Sequence, residues 1–394
     1  MVEISDACLK EHERIGDALV EEAHRHAGMI PLDVEAFWAD QDAAAADPFC
    51  MDNAQCPLAM LMSGECIYAE LGLEENFHRY EHDPAWRLEM HRAYNDKAQR
   101  IVGRRLLCER FDDPQLKYTG VKALHDVFEM NNVWHGGPGG SWWIEPAAQT
   151  PDELAALLDR VEALDLRAFL LPADFEEQKA RLTAVGVAPP RYAWQRGPVT
   201  FATSLMGAEN LLFLLIDEPK LAERLRDAIL RVMMAMRDLL DKHQTPAVRT
   251  PGFGFADDNC ALLTPELYEM FGHPILKGMF DRYAPAAGDW RYQHSDSAMA
   301  HLLPMLGRLD LTGVNFGPTV AADAIREHLP HAIIHGQLAP FTLSRNDERG
   351  VVLEFLRDFE LTRAARGLAF ATAGSINNGS RLTAMRLLMA TIQR

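Results

Sequence analysis

The strand-then-helix pattern of this chain is clearest at Asp289-Trp-Arg-Tyr-Gln-His-Ser-Asp296. It reads as a short strand, 290–293, ending in the polar cluster His294-Ser295-Asp296, and an apolar helical pattern follows at once over 298–309. The same plan repeats on both sides. Strand patterns at 198–202, 247–256, 311–316, 332–336 and 368–373 are each followed by a helical pattern. These helical patterns fall at 207–216, 265–282, 319–328, 347–366 and 380–393, with a further long helix opening at Asp217-Glu-Pro219. Strict alternation requires parallel strands joined by crossover helices. So many units in one half of a chain predict an α/β fold closed into a (β/α)8 TIM barrel. An open, doubly wound sheet is the alternative, but its G-x-G-x-x-G fingerprint is absent.

Ahead of this region the pattern is less regular. Residues 5–27 read as an amphipathic helix and 30–60 as loop-rich, so the expected organisation is an N-terminal helical extension, 1–60, and a barrel, 61–394. A long helix is expected over 84–107. Thr150-Pro-Asp-Glu153 starts another, with Thr150 as N-cap and Pro151 in the first turn. His135-Gly-Gly-Pro-Gly-Gly140 reads as a flexible loop flanked by Trp134, Trp142 and Trp143, either a ligand wall or a plain surface turn.

Bulk properties bound the function. The 394 residues are 48% hydrophobic, enough for a large core. A net charge of −18 repels nucleic acid and anionic membranes. Six cysteines form no C-x-x-C pair and fit reduced thiols in a cytoplasmic protein. The charged N-terminus has no apolar signal core, and the longest apolar run, 211–216, is core-sized.

Parallel α/β folds place function at strand C-termini. Those termini carry Asp257-Asp258-Asn259, His294-Ser295-Asp296, Asn315, His335-Gly336-Gln337, and Ser375 with Asn377. Any one of these polar residues also suits a turn or helix cap. Histidine is neither a good cap nor a turn former, so His294 and His335 stand out as proton carriers or metal ligands.

At these residues the chain resembles the uroporphyrinogen decarboxylase superfamily, which includes cobamide-dependent methyltransferases. Arg196-Gly-Pro-Val-Thr200 with Gly207 and Glu209, Asp217-Glu-Pro219, Asp257-Asp258 with Leu263-Thr-Pro-Glu-Leu-Tyr268, and Ile334-His335-Gly336 with Pro340 follow the family's motifs in order. The resemblance covers roughly 190–394 well, 63–190 loosely and 1–60 not at all, and it too implies a (β/α)8 barrel. It also exposes departures. In the thiol methyltransferases of the superfamily, His-x-Cys and a later Cys hold zinc, whereas Asp296 and Ser375 stand at those positions here. Oxygen donors suit zinc less than thiolates do. His294 and Asp296 therefore either hold a harder divalent metal or work metal-free, with Asp296 holding an acid–base His294. The arginine-rich loop that grips the carboxylates of uroporphyrinogen is absent, which argues against a role in haem synthesis.

Three functions stay open. The first is one-carbon (methyl) transfer from or to a small molecule, with a corrinoid carried by a partner protein. The second is a decarboxylase or lyase in which Asp257 or Asp258 steers a small carboxylate substrate and His294 or His335 protonates the carbanion. The third is a non-catalytic binding barrel. In the catalytic readings His294, Asp296, Asp257, Asp258 and His335 do the chemistry. Arg196, Asn315, Gln337, Ser375, Asn377, Trp142 and Trp143 bind the substrate. A homodimer is compatible with this reading.

Overall fold

The computed structural model describes residues 4–60, 62–244, 251–374 and 376–394, which divide into two compact units. One comprises 112–295 with 304–312, the other 1–111, 296–303 and 313–394.

In the first unit, β1 (Asn131–His135) and β2 (Ser141–Glu145) form an antiparallel hairpin. The glycine stretch expected as a flexible loop is its tip, where Gly136 and Gly137 take positive φ. Three parallel strands follow: β3 (Trp194–Arg196), β4 (Gly252–Ala256) and β5 (Trp290–Ser295). Their two faces are set by alternation. Phe253 and Phe255 point to one face and are fully buried, Phe255 against Phe280 of helix Gly272–Tyr283. The other face of β4 shows only Gly252, Gly254 and Ala256. A Cβ on Gly254 would lie 2.4 Å from the Trp194 ring and 2.6 Å from the Trp290 ring, so the bare glycine makes room for two indoles.

The second unit holds three more parallel strands, β6 (Gly313–Phe316), β7 (Ile333–His335) and β8 (Leu368–Ala369), with Val314, Ile334 and Leu368 in register. Leu58 forms a further parallel bridge with Phe370. The Ala59 amide donates to the Phe370 carbonyl at 2.8 Å. Helix Asp6–Arg25 lies along helix Glu348–Thr362 and helix Leu382–Gln393, and Leu19, Ala23, Ile30, Val352, Leu387 and Ala390 are buried together. Arg349 with Asp17 (2.6 Å) and His24 with Glu348 (2.5 Å) tie its exposed edge.

The chain is thus an α/β fold with six parallel strands among the described residues, each set of three in chain order. Several expected elements shift. The run 198–202, expected as a strand, is the start of helix Pro198–Met206, and the strand lies just before it at 194–196. Proline at the first helical position fixes φ for a helix start, and the buried acid Asp257 holds that end, overriding the β-propensity of Val199, Thr200 and Phe201. The helix expected at 265–282 breaks at Phe271, and the one expected at 298–309 is a series of short turns. Thr150 caps helix Pro151–Ala163 as expected, in a reciprocal box with Glu153. The start of the strand expected at 247–256 lies partly outside the described residues.

Candidate functional site

Parallel pairing brings the C-terminal ends of β3, β4 and β5 level: Arg196 pairs with Ala256, and Ala256 with His294. Register partners share a face, so Arg196 and His294 project to the same side with only the Ala256 methyl between. The next residue pair up β4 is Asp257-Asp258, and the two carboxylates have different fates. Asp257 is fully buried. It accepts the backbone N–H of Thr200 at 2.7 Å and of Val199 at 3.5 Å, the unpaired donors at the start of helix Pro198–Met206. Burial nevertheless dominates and raises its pKa to about 6. Its own N–H donates to the His294 carbonyl at 2.9 Å. Asp257 is therefore the joint that locks Gly197-Pro198 and β5 to the end of β4. Gly197 allows this contact, because a Cβ there would lie 2.2 Å from the Asp257 Cβ.

Asp258 is turned the other way and remains partly exposed. Its Oδ1 lies 3.5 Å from His294 Nε2, giving an imidazole–carboxylate pair at the mouth of two adjacent parallel strands. Arg196 is anchored by donating to Ser204 Oγ at 2.7 Å. Asn259 follows, its N–H donating to Thr200 Oγ1 at 3.0 Å. On the same face, two and four residues before His294, Tyr292 and Trp290 stack with Trp194, at centroid distances of 5.5–6.0 Å. Trp194 is 45% exposed and Trp290 38%. This aromatic shelf was not anticipated from the sequence. Its signal was present in the alternation Gly-Phe-Gly-Phe-Ala, where two bare positions face Trp-x-Tyr on the neighbouring strand.

Trp142 and Trp143 lie on the hairpin and are 47% and 62% exposed. Trp142 packs edge-on against Trp134 at 5.5 Å. His135 and Glu145 approach to 3.7 Å across the same hairpin.

In the other unit, Asp296 is backed by glycines. A Cβ on Gly317 would lie 2.2 Å from the Asp296 carbonyl oxygen, and one on Gly374 3.0 Å from its Oδ2. Asn315 is a tie between strand ends: its amide donates to the carbonyls of His335 and of Thr372 (3.1 Å), and its oxygen accepts the Gly374 N–H at 3.0 Å. Gln337 is buried, with its amide nitrogen directed at the Val320 and Gly317 carbonyls at 2.6 and 3.2 Å. These two amides thus hold the backbone of the strand ends. His335 is half-buried, and burial lowers its pKa, favouring the neutral ring. The Asn377 carbonyl accepts from Ser380 Oγ at 3.0 Å. Ser375 lies outside the described residues.

A thiolate zinc site does not fit these residues. Cys260, the cysteine that follows the acid pair, is fully buried, and burial pushes its thiol well up, so the neutral form is strongly favoured. Its Sγ faces Ser295 Oγ at 3.8 Å.

Comparison with known proteins agrees with this architecture. A methyltransferase from Methanosarcina mazei has a similar structure, with a TM-score of 0.53 at 14% identity over 89% of this chain and 96% of that chain. No curated protein matches. The family model "Uroporphyrinogen decarboxylase (URO-D)" matches residues 183–394, more than half of the sequence and the whole span of the six parallel strands, and the chain belongs to that family.

Proposed function

We propose that this chain is a barrel enzyme of the URO-D family that transfers a one-carbon, methyl group from or to a small molecule. His294 acts as general acid and base, and Asp258 orients it. The observation carrying this reading is the His294–Asp258 contact of 3.5 Å at adjacent strand C-termini, on a face floored by Tyr292, Trp290 and Trp194. When a methyl group leaves a heteroatom, the bonding pair stays with that atom, which then takes up a proton. A positioned imidazolium supplies it, and the same ring in neutral form removes it in reverse. Asp257 takes no proton from substrate in this scheme, because its oxygens serve the Val199 and Thr200 amides. The aromatic shelf suits the apolar body of a methylated substrate. The methyl acceptor or donor in this proposal is a corrinoid protein, as the resemblance to the cobamide-dependent methyltransferases implies.

A second reading has its own observation. Arg196 shares the His294 face, and a guanidinium there suits a substrate carboxylate, as a carboxy-lyase requires. One experiment separates the two. The purified protein is incubated with methyl-labelled ethers, amines and thioethers plus reduced free cobalamin, and in parallel with carboxyl-labelled small carboxylic acids, and methyl transfer and CO2 release are both followed. Label on cobalamin supports the first reading. CO2 release from a small carboxylate without methyl transfer supports the second. Neither signal with any substrate, alongside tight binding of one of them, indicates a binding barrel.

A further inference from the structure

The seam between helix Asp6–Arg25 and helix Glu348–Thr362 is closed at successive levels by polar contacts. His24 meets Glu348, Asp17 meets Arg349, and Gly16 gives room to Leu353, so the two helices run in opposite directions. The far end of the seam carries Cys8, His12 and Glu360 instead of an ion pair. Cys8 and His12 stand four residues apart, one above the other on the same helix face. Cys8 Sγ and His12 Nε2 are 3.3 Å apart. A Glu360 carboxylate oxygen from the opposing helix completes the group, with all three ligand atoms within 4.8 Å of one another. His12 is only 8% exposed and Cys8 is half-buried, so the ring and the sulfur are already held by packing. Arg363, a competing cation, reaches Glu360 only at 3.6 Å and is itself two-thirds exposed.

We infer that Cys8, His12 and Glu360 form a site for one zinc-like divalent ion that clamps the N-terminal helix to helix Glu348–Thr362. Sulfur, imidazole and carboxylate from two elements are the donors zinc takes, and water fills the fourth tetrahedral position. The soft sulfur and the imidazole select against magnesium and calcium. Coordination releases the Cys8 proton to solvent and leaves the thiolate on the ion. The ion ties together two helices distant in sequence, so it stabilises the folded chain by mass action.

The test uses the full-length protein freed of metal with a chelator and titrated with Co2+, then with Zn2+. One equivalent of Co2+ should produce a thiolate-to-cobalt charge-transfer band, and Zn2+ should erase it. Cys8→Ser should abolish the band, and His294→Ala should leave it intact. Glu360→Gln and His12→Ala should weaken binding by at least the roughly tenfold that loss of even an outer-sphere partner costs. Zn2+ should raise the thermal midpoint of the parent chain but not of Cys8→Ser. Absence of the band, its survival in Cys8→Ser, or unchanged affinity in Glu360→Gln would overturn the assignment.

Discussion

Asp257→Asn should make the protein less sensitive to rising pH. The carboxyl is fully buried and its folded pKa is about 6, against an ordinary value of 3.8, with burial as the leading cause. The sign follows from linkage. Because the folded value is raised, this group's contribution to stability is fully present below about pH 4 and is lost as pH rises through about 6. The difference corresponds to about 3 kcal/mol at neutral pH. Asparagine keeps an oxygen for the Thr200 N–H, now 2.7 Å from Oδ1, but never ionises. The unfolding free energy of Asp257→Asn relative to the parent should therefore improve by about 3 kcal/mol between about pH 3 and about pH 7. Asp358 is also buried, with its pKa raised to about 6, but it is common to both proteins and cancels in the comparison. Urea unfolding across that range measures the difference directly. A pH-independent difference, or one that favours the parent as pH rises, would refute the buried-acid account.

Gly197→Ala should damage the site through Asp257, because the new methyl would sit 2.2 Å from the Asp257 Cβ. Lowered stability and lost activity check this, and an unperturbed variant would mean the joint is looser than described. Asn315→Ala removes bonds to His335, Thr372 and Gly374, and should cost about 3 kcal/mol at roughly 1 kcal/mol each, read by chemical denaturation. Cys260→Ser should keep turnover, since the buried thiol takes no part in the chemistry; complete loss of turnover in a folded variant would contradict this.

Much of this was legible because strand ends are punctuated by residues with few other reasons to be there. His294 and the Asp257-Asp258 pair were visible from the alternation of strands and helices, and the resemblance to the family from the motifs at Arg196–Thr200, Asp217–Pro219 and Asp257-Asp258. The division of labour within the acid pair was not legible. Which aspartate faces inward depends on Gly197 approaching within contact of β4, and that is a tertiary fact. The strand at 194–196 was misplaced because Val199, Thr200 and Phe201 look extended locally, while Pro198 and Asp257 together start a helix. The glycine-rich tip was read as a flexible loop because glycines hide the pairing of Val133 with Trp143 and Trp134 with Trp142. Asn315 and Gln337 tie backbone carbonyls at the strand ends, and spacing alone does not distinguish that role from substrate contact.

In the proposed reaction His294, oriented by Asp258, carries the proton. The most direct measurement is the turnover of His294→Ala beside that of the parent, on whichever donor the methyl-transfer or CO2 screen identifies, together with the thermal midpoint of each. Turnover should fall by about 100-fold or more with little change in midpoint. Near-normal turnover with a midpoint several degrees lower would show His294 to be a packing residue and would contradict the account.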